Sequence, residues 1–304
     1  MKILIVGGTG MIGGQAALHL RSQGHQVTIS GRRAPTEVAA LVELPFLQGN
    51  YLRGDITMDQ LARFEAVVFA AGSDVRHVPE GQGADEHYLQ ANGEAVPAFG
   101  RLAREAGVRV FVHIGSVYPH IVPDAVRSSP YVRSRKLAAE GVAALATRDF
   151  HACSIDPPIV VGTVPGMKSP MFEAYVQYAE GNLPIPPFAP AGGLNFISTQ
   201  SLSEAIAGAI ENSETVSGRS ILVGDENMTY AEYLEMFFHA VGNPQKLPVL
   251  DQDHPLMPRS TLYAGDRVVT YEPDAADVAA LGGYRRNDIR SAVSEIVSQH
   301  RQRE

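Results

Sequence analysis

Apolar runs with the period of strands alternate along the first half of the chain with segments that have the apolar spacing of helices. Six apolar or β-branched runs predict strands, at residues 2–6, 26–30, 45–48, 66–70, 108–114 and 150–155. Helical spacing predicts helices between them, the longest at 85–106, where Pro97 must kink or interrupt the helix, and at 130–148. Strands that alternate with helices predict an α/β fold, a doubly wound parallel sheet of the Rossmann type.

The second half of the chain predicts a smaller unit beside this sheet. Residues 195–197 and 219–223 have strand-like patterns, and helices are predicted from Thr229 and over 288–299. We therefore expect a dinucleotide-binding Rossmann domain over 1–162, to which 195–224 return. Residues 163–194 and 225–304 then form a C-terminal substrate-binding lobe.

The composition of the chain indicates which kinds of binding partner are expected. The 304 residues carry a net charge of −8, which argues against a nucleic-acid or anionic-membrane partner, since both require a basic face. The single cysteine, Cys153, excludes a disulfide framework, fits a reducing compartment and is interpreted as a core residue. No apolar stretch approaches the roughly 20 residues of a membrane span. A cytoplasmic protein with a small-molecule substrate is expected.

The first predicted strand ends in a glycine motif, Gly7-x-x-Gly10-x-x-Gly13, which opens a helix. Strand, glycine turn and helix form the context in which such a motif binds a dinucleotide. Gly7 permits the tight turn, Gly10 lets the backbone approach a pyrophosphate, and Gly13 lets the helix pack on the strand. The free N–H groups of the helix then face the phosphates. Thr9, Met11 and Ile12 complete this predicted cofactor loop.

The end of the second predicted strand indicates which dinucleotide binds. A carboxylate there would bond the 2′-hydroxyl of NAD, whereas arginine accepts the 2′-phosphate of NADP. The chain has no acid at 27–33 but carries Arg32 and Arg33, so we predict NADP. Asn50, with Asp55 as a competing candidate, is predicted beside the adenine. The other predicted cofactor contacts are Ala70, Ala71, Gly72 and Pro158.

With these motifs placed, the chain resembles the extended short-chain dehydrogenase/reductases, the group that includes the NAD(P)-dependent epimerase/dehydratase proteins. The resemblance covers residues 1 to about 165 by motif. It implies that Ser116 orients the substrate oxygen, Tyr131 exchanges its proton, and Lys136 bonds the nicotinamide ribose and lowers the pKa of the tyrosine. It also implies that Asn92 holds a water in the proton relay, and that a homodimer forms through the helices that carry Asn92 and Tyr131.

One departure from the family concerns the lysine. The usual spacing is Tyr-x-x-x-Lys, but here Arg135 lies four residues after Tyr131 and Lys136 lies five after it. At about 100° per residue, a regular helix would place Arg135 near the tyrosine. The sequence after Lys136 nevertheless matches the family if Lys136 is the lysine, which requires an extra residue absorbed as a π-type bulge. Both residues stay candidates, with Lys136 ahead; alternatively both are solvated.

The remaining departures concern the substrate. Gly115 stands where a second serine is frequent, and Asp156 where an arginine often precedes the double proline. Residues 163–188 are rich in methionine, proline and aromatic residues and contain one basic residue, Lys168. They form either an apolar substrate lining or simply the core of the lobe. Tyr118 and His120 are candidate pocket residues.

The sequence therefore predicts an NADP(H)-dependent oxidoreductase that interconverts a secondary alcohol and a ketone, without a metal site. An epimerase or dehydratase acting through a transient ketone is one alternative. A non-catalytic NADP-binding sensor or scaffold is another, favoured by the displaced lysine.

Overall fold

The computed structural model describes residues 1–303 and contains a seven-stranded parallel sheet with helices on both faces. Its strand order is β10-β6-β5-β4-β1-β2-β3, and β11-β9-β7 and β12-β8 form two smaller sheets. The strands are β1 Lys2–Val6, β2 Gln26–Gly31, β3 Phe46–Gln48, β4 Ala66–Phe69, β5 Val110–Ile114, β6 His151–Asp156, β7 Ile159–Val161, β8 Ala189–Pro190, β9 Gly193–Ser198, β10 Ser220–Leu222, β11 Glu226–Thr229 and β12 Val249–Leu250. The architecture confirms the predicted doubly wound α/β class.

The helices cover both faces of the large sheet and form much of the C-terminal lobe. They are α1 Met11–Ser22, α2 Ala39–Val42, α3 Met58–Leu61, α4 Ala84–Tyr88, α5 Ala95–Glu105, α6 Tyr118–Ile121, α7 Ala125–Ser128, α8 Pro130–Ala143, α9 Pro170–Glu180, α10 Thr199–Glu211, α11 Ser213–Val216, α12 Tyr230–Ala240, α13 Ala275–Ala280 and α14 Ile289–Arg301. Single turns of 3₁₀ helix lie at Tyr51–Arg53, Val75–His77 and Arg259–Thr261, and a π-helical segment lies at Leu89–Glu94. Within residues 1–303, no helix is long and apolar enough to cross a membrane.

The sheet is buried on both faces because alternate residues of its central strands enter two different cores. Ile3 and Ile5 pack on the α1 and α10 side, whereas Leu4 and Phe69 pack on the α5 and α8 side. Successive strands add on opposite sides of the pair β1 and β4, so the strand order reverses there. In such sheets the ligand crevice opens at this reversal, beyond the carboxyl ends of the strands.

The predicted helix at 85–106 is divided into α4, the π-helical segment and α5. Pro97 lies in the first turn of α5, just after the π-helical turns. Proline has no N–H for a helical hydrogen bond, and its ring clashes with the carbonyl four residues earlier. A π segment just before it relieves this conflict. The helix between β2 and β3 is a single turn, Ala39–Val42.

The C-terminal lobe has its own aromatic core, formed by α9, α12 and α14 over the sheet β11-β9-β7. Phe172, Tyr175, Tyr178 and Phe188 are all buried in it. All four aromatic residues at 163–188 are therefore buried within the lobe. Within residues 195–224, β10 is the edge strand of the large sheet and α10 packs on that sheet, whereas β9 pairs with β7 and β11.

Candidate active site

The glycine loop connects β1 to α1 at the point where the strand order reverses. Gly7 has φ +83°, and a Cβ there would lie 2.7 Å from the backbone nitrogen of Ala71. A Cβ on Gly13 would overlap the carbonyl of Gly7. Gly10 differs, because it is exposed and the nearest atom to a Cβ there would be 3.4 Å away. Gly7 and Gly13 are thus required by packing, whereas Gly10 leaves open space above the loop.

The start of α1 provides free hydrogen-bond donors beside this open space. Gly10 is the N-cap, and no side chain caps the helix. The first N–H groups of a helix have no partner within the helix and carry its positive dipole end. Thr9, Met11 and Ile12 are partly exposed there. A pyrophosphate fits such a cradle, so the loop is compatible with a bound dinucleotide.

A buried amide fixes the backbone that follows β4. The amide of Asn92, on the π-helical segment, accepts a hydrogen bond from the Ser73 N–H and donates one to the Ser73 carbonyl, both at 2.9 Å. It also donates to the hydroxyl of Ser134 at 3.2 Å. Ala70, Ala71 and Gly72 are held just before this clamp, beside Gly7. Asn92 is fully buried, and its amide forms hydrogen bonds with Ser73 and Ser134.

Ser116 and Tyr131 meet beyond the carboxyl end of β5. Ser116 follows that strand directly and is 8 % exposed, whereas Tyr131 lies in the first turn of α8. Burial raises the pKa of Tyr131 above 10, and the charge of Asp74 adds to the rise. Arg135, Arg76 and the Ser116 hydroxyl oppose it by favouring the phenolate. The serine and the tyrosine predicted to act together are therefore close enough to interact.

Arg135, one turn after Tyr131 on α8, lies in the crevice. Its guanidinium Nη2 donates to the carbonyls of Ile114 and Gly115, at 2.8 and 2.6 Å. The Nη1 atom points toward Gly72, where a Cβ would lie 2.9 Å from it. The Nε atom is buried and has no hydrogen-bond partner among residues 1–303. The Nη1 atom also donates to the Asn92 Oδ1 at 3.5 Å, so the guanidinium ties the end of β5 to the π-helical segment.

Lys136 lies outside this arrangement. Its ammonium pairs with Glu140, one turn further along α8, and its side chain is 39 % exposed. The bulge that would turn Lys136 toward Tyr131 is absent, because α8 is a regular α-helix from Pro130 to Ala143. That part of the prediction is wrong. The π-helical segment of this site lies instead around Asn92.

The residues predicted to bind the adenosine half lie at the ends of β2 and β3. Arg32 and Arg33 follow β2 and are exposed, and within residues 1–303 neither guanidinium forms an ion pair. The side chain of Asn50 caps the turn Tyr51–Arg53 by accepting from the Leu52 N–H, while Asp55 accepts from the Asn50 N–H. Asn50 and Asp55 therefore brace one another. Pro158 is buried between β6 and β7.

Three further tyrosines surround Tyr131, two of which the sequence did not indicate. Tyr263, from the loop after the turn Arg259–Thr261, stacks on Tyr131 with ring centroids 4.8 Å apart and planes 9° apart. Tyr88 meets Tyr131 edge to face at 5.4 Å, and Tyr118 meets Tyr263 edge to face at 5.0 Å. Only Tyr118 was a sequence candidate. No motif marks the other two, because the fold brings them from distant segments.

An ion pair also borders the tyrosines. Asp74 and Arg76 bond side chain to side chain in the turn after β4, and His77 bonds the same carboxylate at 3.0 Å. Although burial opposes it, these hydrogen bonds hold the pKa of Asp74 well below its usual range. The carboxylate raises the pKa values of Tyr88 and Tyr131, whereas Arg76 lowers that of Tyr131. Asp74 and Arg76 therefore act on the pKa of the Tyr131 phenol in opposite directions.

The two substrate-side departures, Gly115 and Asp156, are neighbours in the structure. The register of β5 on β6 aligns Ile114 with Ile155, so a Cβ on Gly115 would overlap the Asp156 carboxylate. Asp156 is fully buried and bonded by His120, Ser154 and Ser220. Burial alone would raise its pKa, but these hydrogen bonds keep the pKa below the usual value. Glycine at 115 therefore makes room for a buried carboxylate at 156.

Three other features of residues 1–303 bear on whether the site lies in this crevice. A surface cleft of about 620 Å³ opens at the amino ends of β1, β2 and β3, opposite the edge where parallel sheets bind ligands. Burial raises the pKa of Cys153 to about 12, so this thiol is a core residue and not a nucleophile at neutral pH. Among residues 1–303, no group of three or more His, Cys, Asp and Glu side chains is arranged to hold a metal.

The glycine loop between β1 and α1 and the doubly wound parallel sheet define a dinucleotide-binding fold of the Rossmann type. The family model described as the NAD dependent epimerase/dehydratase family matches residues 3–224. The chain belongs to that family, whose members depend on a nicotinamide dinucleotide. This confirms the resemblance found in the sequence.

Solved structures support the same fold at low identity. UDP-glucose-4-epimerase from Stenotrophomonas maltophila, with bound NAD and formylated UDP-arabinopyranose, matches with a TM-score of 0.78 and 19% identity over 100% of this chain and 98% of that one. Gre2 from Candida albicans in complex with NADPH matches with a TM-score of 0.73 and 15% identity over 99% of both chains. WbmH from Bordetella bronchiseptica in complex with NAD⁺ has a TM-score of 0.74, 16% identity and coverage of 99% and 98%. No curated protein matches this chain in sequence.

Proposed function

We propose that this protein is an NADP(H)-dependent oxidoreductase that interconverts a secondary alcohol and a ketone. The observation that carries the proposal is the meeting of Ser116, Tyr131 and the Arg135 guanidinium beside the glycine loop. In alcohol oxidation, the substrate hydroxyl gives its proton to the phenolate form of Tyr131. The nicotinamide supplies the hydride chemistry when it is bound.

Each protein residue has a separate proposed role. Ser116 donates a hydrogen bond to the substrate oxygen and orients it toward Tyr131. Tyr131 takes up or gives the proton of that oxygen, as a general base or acid. Arg135 takes the place expected of lysine: its charge favours the phenolate, and its unpartnered buried Nε is available to a ribose hydroxyl. Asn92 holds the backbone at Ser73 in place.

We propose an uncharged, largely apolar substrate. A nucleoside diphosphate needs free cations, but within residues 1–303 several basic side chains near or in the lobe are paired with carboxylates. These pairs are Arg76–Asp74, Lys168–Glu37, Lys246–Glu235, Arg259–Asp251 and Arg286–Asp225. These ion pairs and the tyrosines around Tyr131 support an apolar substrate. The aromatic residues at 163–188 do not, because they are buried in the core of the lobe.

The direct test is NADPH consumption by the purified protein with a panel of uncharged ketones, and NADP⁺ reduction with the matching alcohols. We expect stoichiometric cofactor turnover with at least one pair. Product formed from a nucleotide sugar without net cofactor consumption would instead establish the epimerase or dehydratase alternative. Cofactor binding with no chemistry on either panel would establish the non-catalytic sensor or scaffold.

We infer from Arg32 and Arg33 that NADP(H) is preferred over NAD(H). Replacing Arg32 by Ala removes a charge-assisted bond to the 2′-phosphate, and we expect NADP⁺ affinity to fall about tenfold or more while NAD⁺ affinity stays within twofold. Calorimetric titration of both cofactors measures this. Arg63→Ala, an exposed arginine at the amino edge of the sheet, is the matched control. Equal losses for both cofactors would contradict the assignment.

We also propose a homodimer in the cytoplasm. The π-helical segment and α8 pack together within the chain, and Leu137 on α8 is 43 % exposed there. Sedimentation equilibrium distinguishes a dimer from a 32.7 kDa monomer. The buried free thiol of Cys153 is consistent with a reducing compartment.

A further inference from the structure

We propose that Tyr263 is a fixed aromatic wall of the active site, which makes the enzyme selective for ketones and alcohols that carry a flat aromatic ring. The inference rests on the proposed function, because it concerns the substrate that reaches Tyr131. It goes beyond that function by assigning a specificity-determining residue in the C-terminal loop and a chemical class of substrate.

The rings of Tyr263 and Tyr88 restrict the approach of a substrate to Tyr131. Tyr263 covers one face of Tyr131 at 4.8 Å, and Tyr88 meets the same ring edge to face at 5.4 Å. A substrate oxygen therefore reaches the hydroxyl along the rim of the stacked rings. On the Tyr263 side, Tyr118 extends this rim at 5.0 Å and 72°. The substrate body is bordered by aromatic faces and edges.

Tyr263 is a wall and not a mobile lid, because its loop is anchored on both sides. Its neighbours Leu262 and Ala264 are buried, at 9 % and 2 % exposure. Just beyond them, the Gly193 N–H donates to the Arg267 carbonyl at 3.1 Å, and the Val269 N–H donates to the Gly193 carbonyl at 3.0 Å. These bonds attach the loop to the edge of β9. Substrate is therefore expected to pack against Tyr263 and not to displace it.

The physical chemistry of this wall favours an uncharged flat ring. Aromatic pairs in stacked or edge-to-face contact are more favourable than their buried area alone explains. A saturated ring of equal size buries a comparable area but has no π face. Near the wall, Asp74 and Arg76 form an ion pair, so neither of these two side chains is free to pair with an ionic substrate.

The test compares two matched ligands, acetophenone and cyclohexyl methyl ketone, which share the carbonyl, the methyl group and the ring size. Dissociation constants are measured by ligand-observed NMR with the wild-type protein, both alone and with saturating NADP⁺. We expect acetophenone to bind about twofold to tenfold more tightly than the saturated ketone. Tyr263→Phe should keep this ratio. Tyr263→Ala and Tyr263→Leu should bring it to about one.

The control is Tyr284→Ala, which removes a half-buried loop tyrosine that bonds the backbone of Gly224 instead. Its ratio should equal that of the wild type. A wild-type ratio near one, or a ratio that survives Tyr263→Leu, overturns the proposal. Tighter binding of both ketones to Tyr263→Ala would also overturn it, by showing a lid that substrate displaces. Since the readout is binding, absent turnover would count against the proposed oxidoreductase function and not against the wall.

Discussion

Tyr131→Phe is expected to lower turnover about a thousandfold and to leave NADP⁺ affinity within twofold. The substitution keeps the ring stacked on Tyr263 but removes the hydroxyl that exchanges the substrate proton. General acid–base groups contribute roughly 10²–10⁴ to rate, and Ser116 alone cannot supply a proton acceptor of comparable strength. Stopped-flow or steady-state cofactor absorbance gives kcat, and calorimetry gives the NADP⁺ affinity.

The matched control is Tyr88→Phe, because Tyr88 touches the same ring edge to face and also loses only a hydroxyl. We expect its kcat to stay within about threefold of wild type. If Tyr131→Phe also kept its kcat within threefold, Tyr131 would not be the proton-exchanging residue.

The raised pKa of Tyr131 predicts opposite pH dependences for ketone reduction and alcohol oxidation. With a pKa above 10, the phenol is protonated at neutral pH and serves as the acid for ketone reduction. Reduction should therefore be independent of this group up to about pH 10 and fall above it. Alcohol oxidation needs the phenolate, so its rate should rise about tenfold per pH unit across the neutral range. A plateau in oxidation below pH 8 would show that another group, or a lower pKa in the loaded enzyme, controls the step.

The sequence predicted the parts of this site that depend on local order. The run from Lys2 to Val6, the glycine turn and α1 are contiguous, so strand, turn and helix follow from neighbouring residues. Ser116 was placed by the resemblance to the family, and in the structure it lies just after the end of a single strand, β5. The predicted sheet class followed because alternating strands and helices allow few other arrangements.

The parts that were missed depend on contacts between distant segments. Tyr263 lies more than 130 residues after Tyr131, and its loop has no periodic pattern that marks it as part of the crevice. For residues 163–188 the sequence left two alternatives open, since an aromatic core and an aromatic pocket have the same composition. Asp156 and Gly115 appeared as two separate departures. Only the register of β6 on β5 shows that Gly115 makes room for the Asp156 carboxylate.

The buried cation next to Tyr131 is Arg135, and its loss should reduce both stability and turnover. Arg135→Met is expected to lower the free energy of unfolding by about 3 kcal/mol, because it removes charge-assisted bonds to the buried carbonyls of Ile114 and Gly115. It should also lower kcat about a hundredfold, since the charge that favours the phenolate is lost. Thermal and urea unfolding measure the first effect, and cofactor absorbance the second.

The neighbouring Lys136→Met is the control for this prediction. Its ammonium pairs with Glu140 on the helix surface, and exposed pairs contribute little to stability, so we expect a change below about 0.5 kcal/mol and kcat within twofold. Arg135→Lys separates charge from geometry. A single ammonium restores the positive charge but not the planar fork, so kcat should recover further than stability does. If Lys136→Met lost activity while Arg135→Met kept it, the lysine role would belong to Lys136, and α8 would have to rearrange when the cofactor binds.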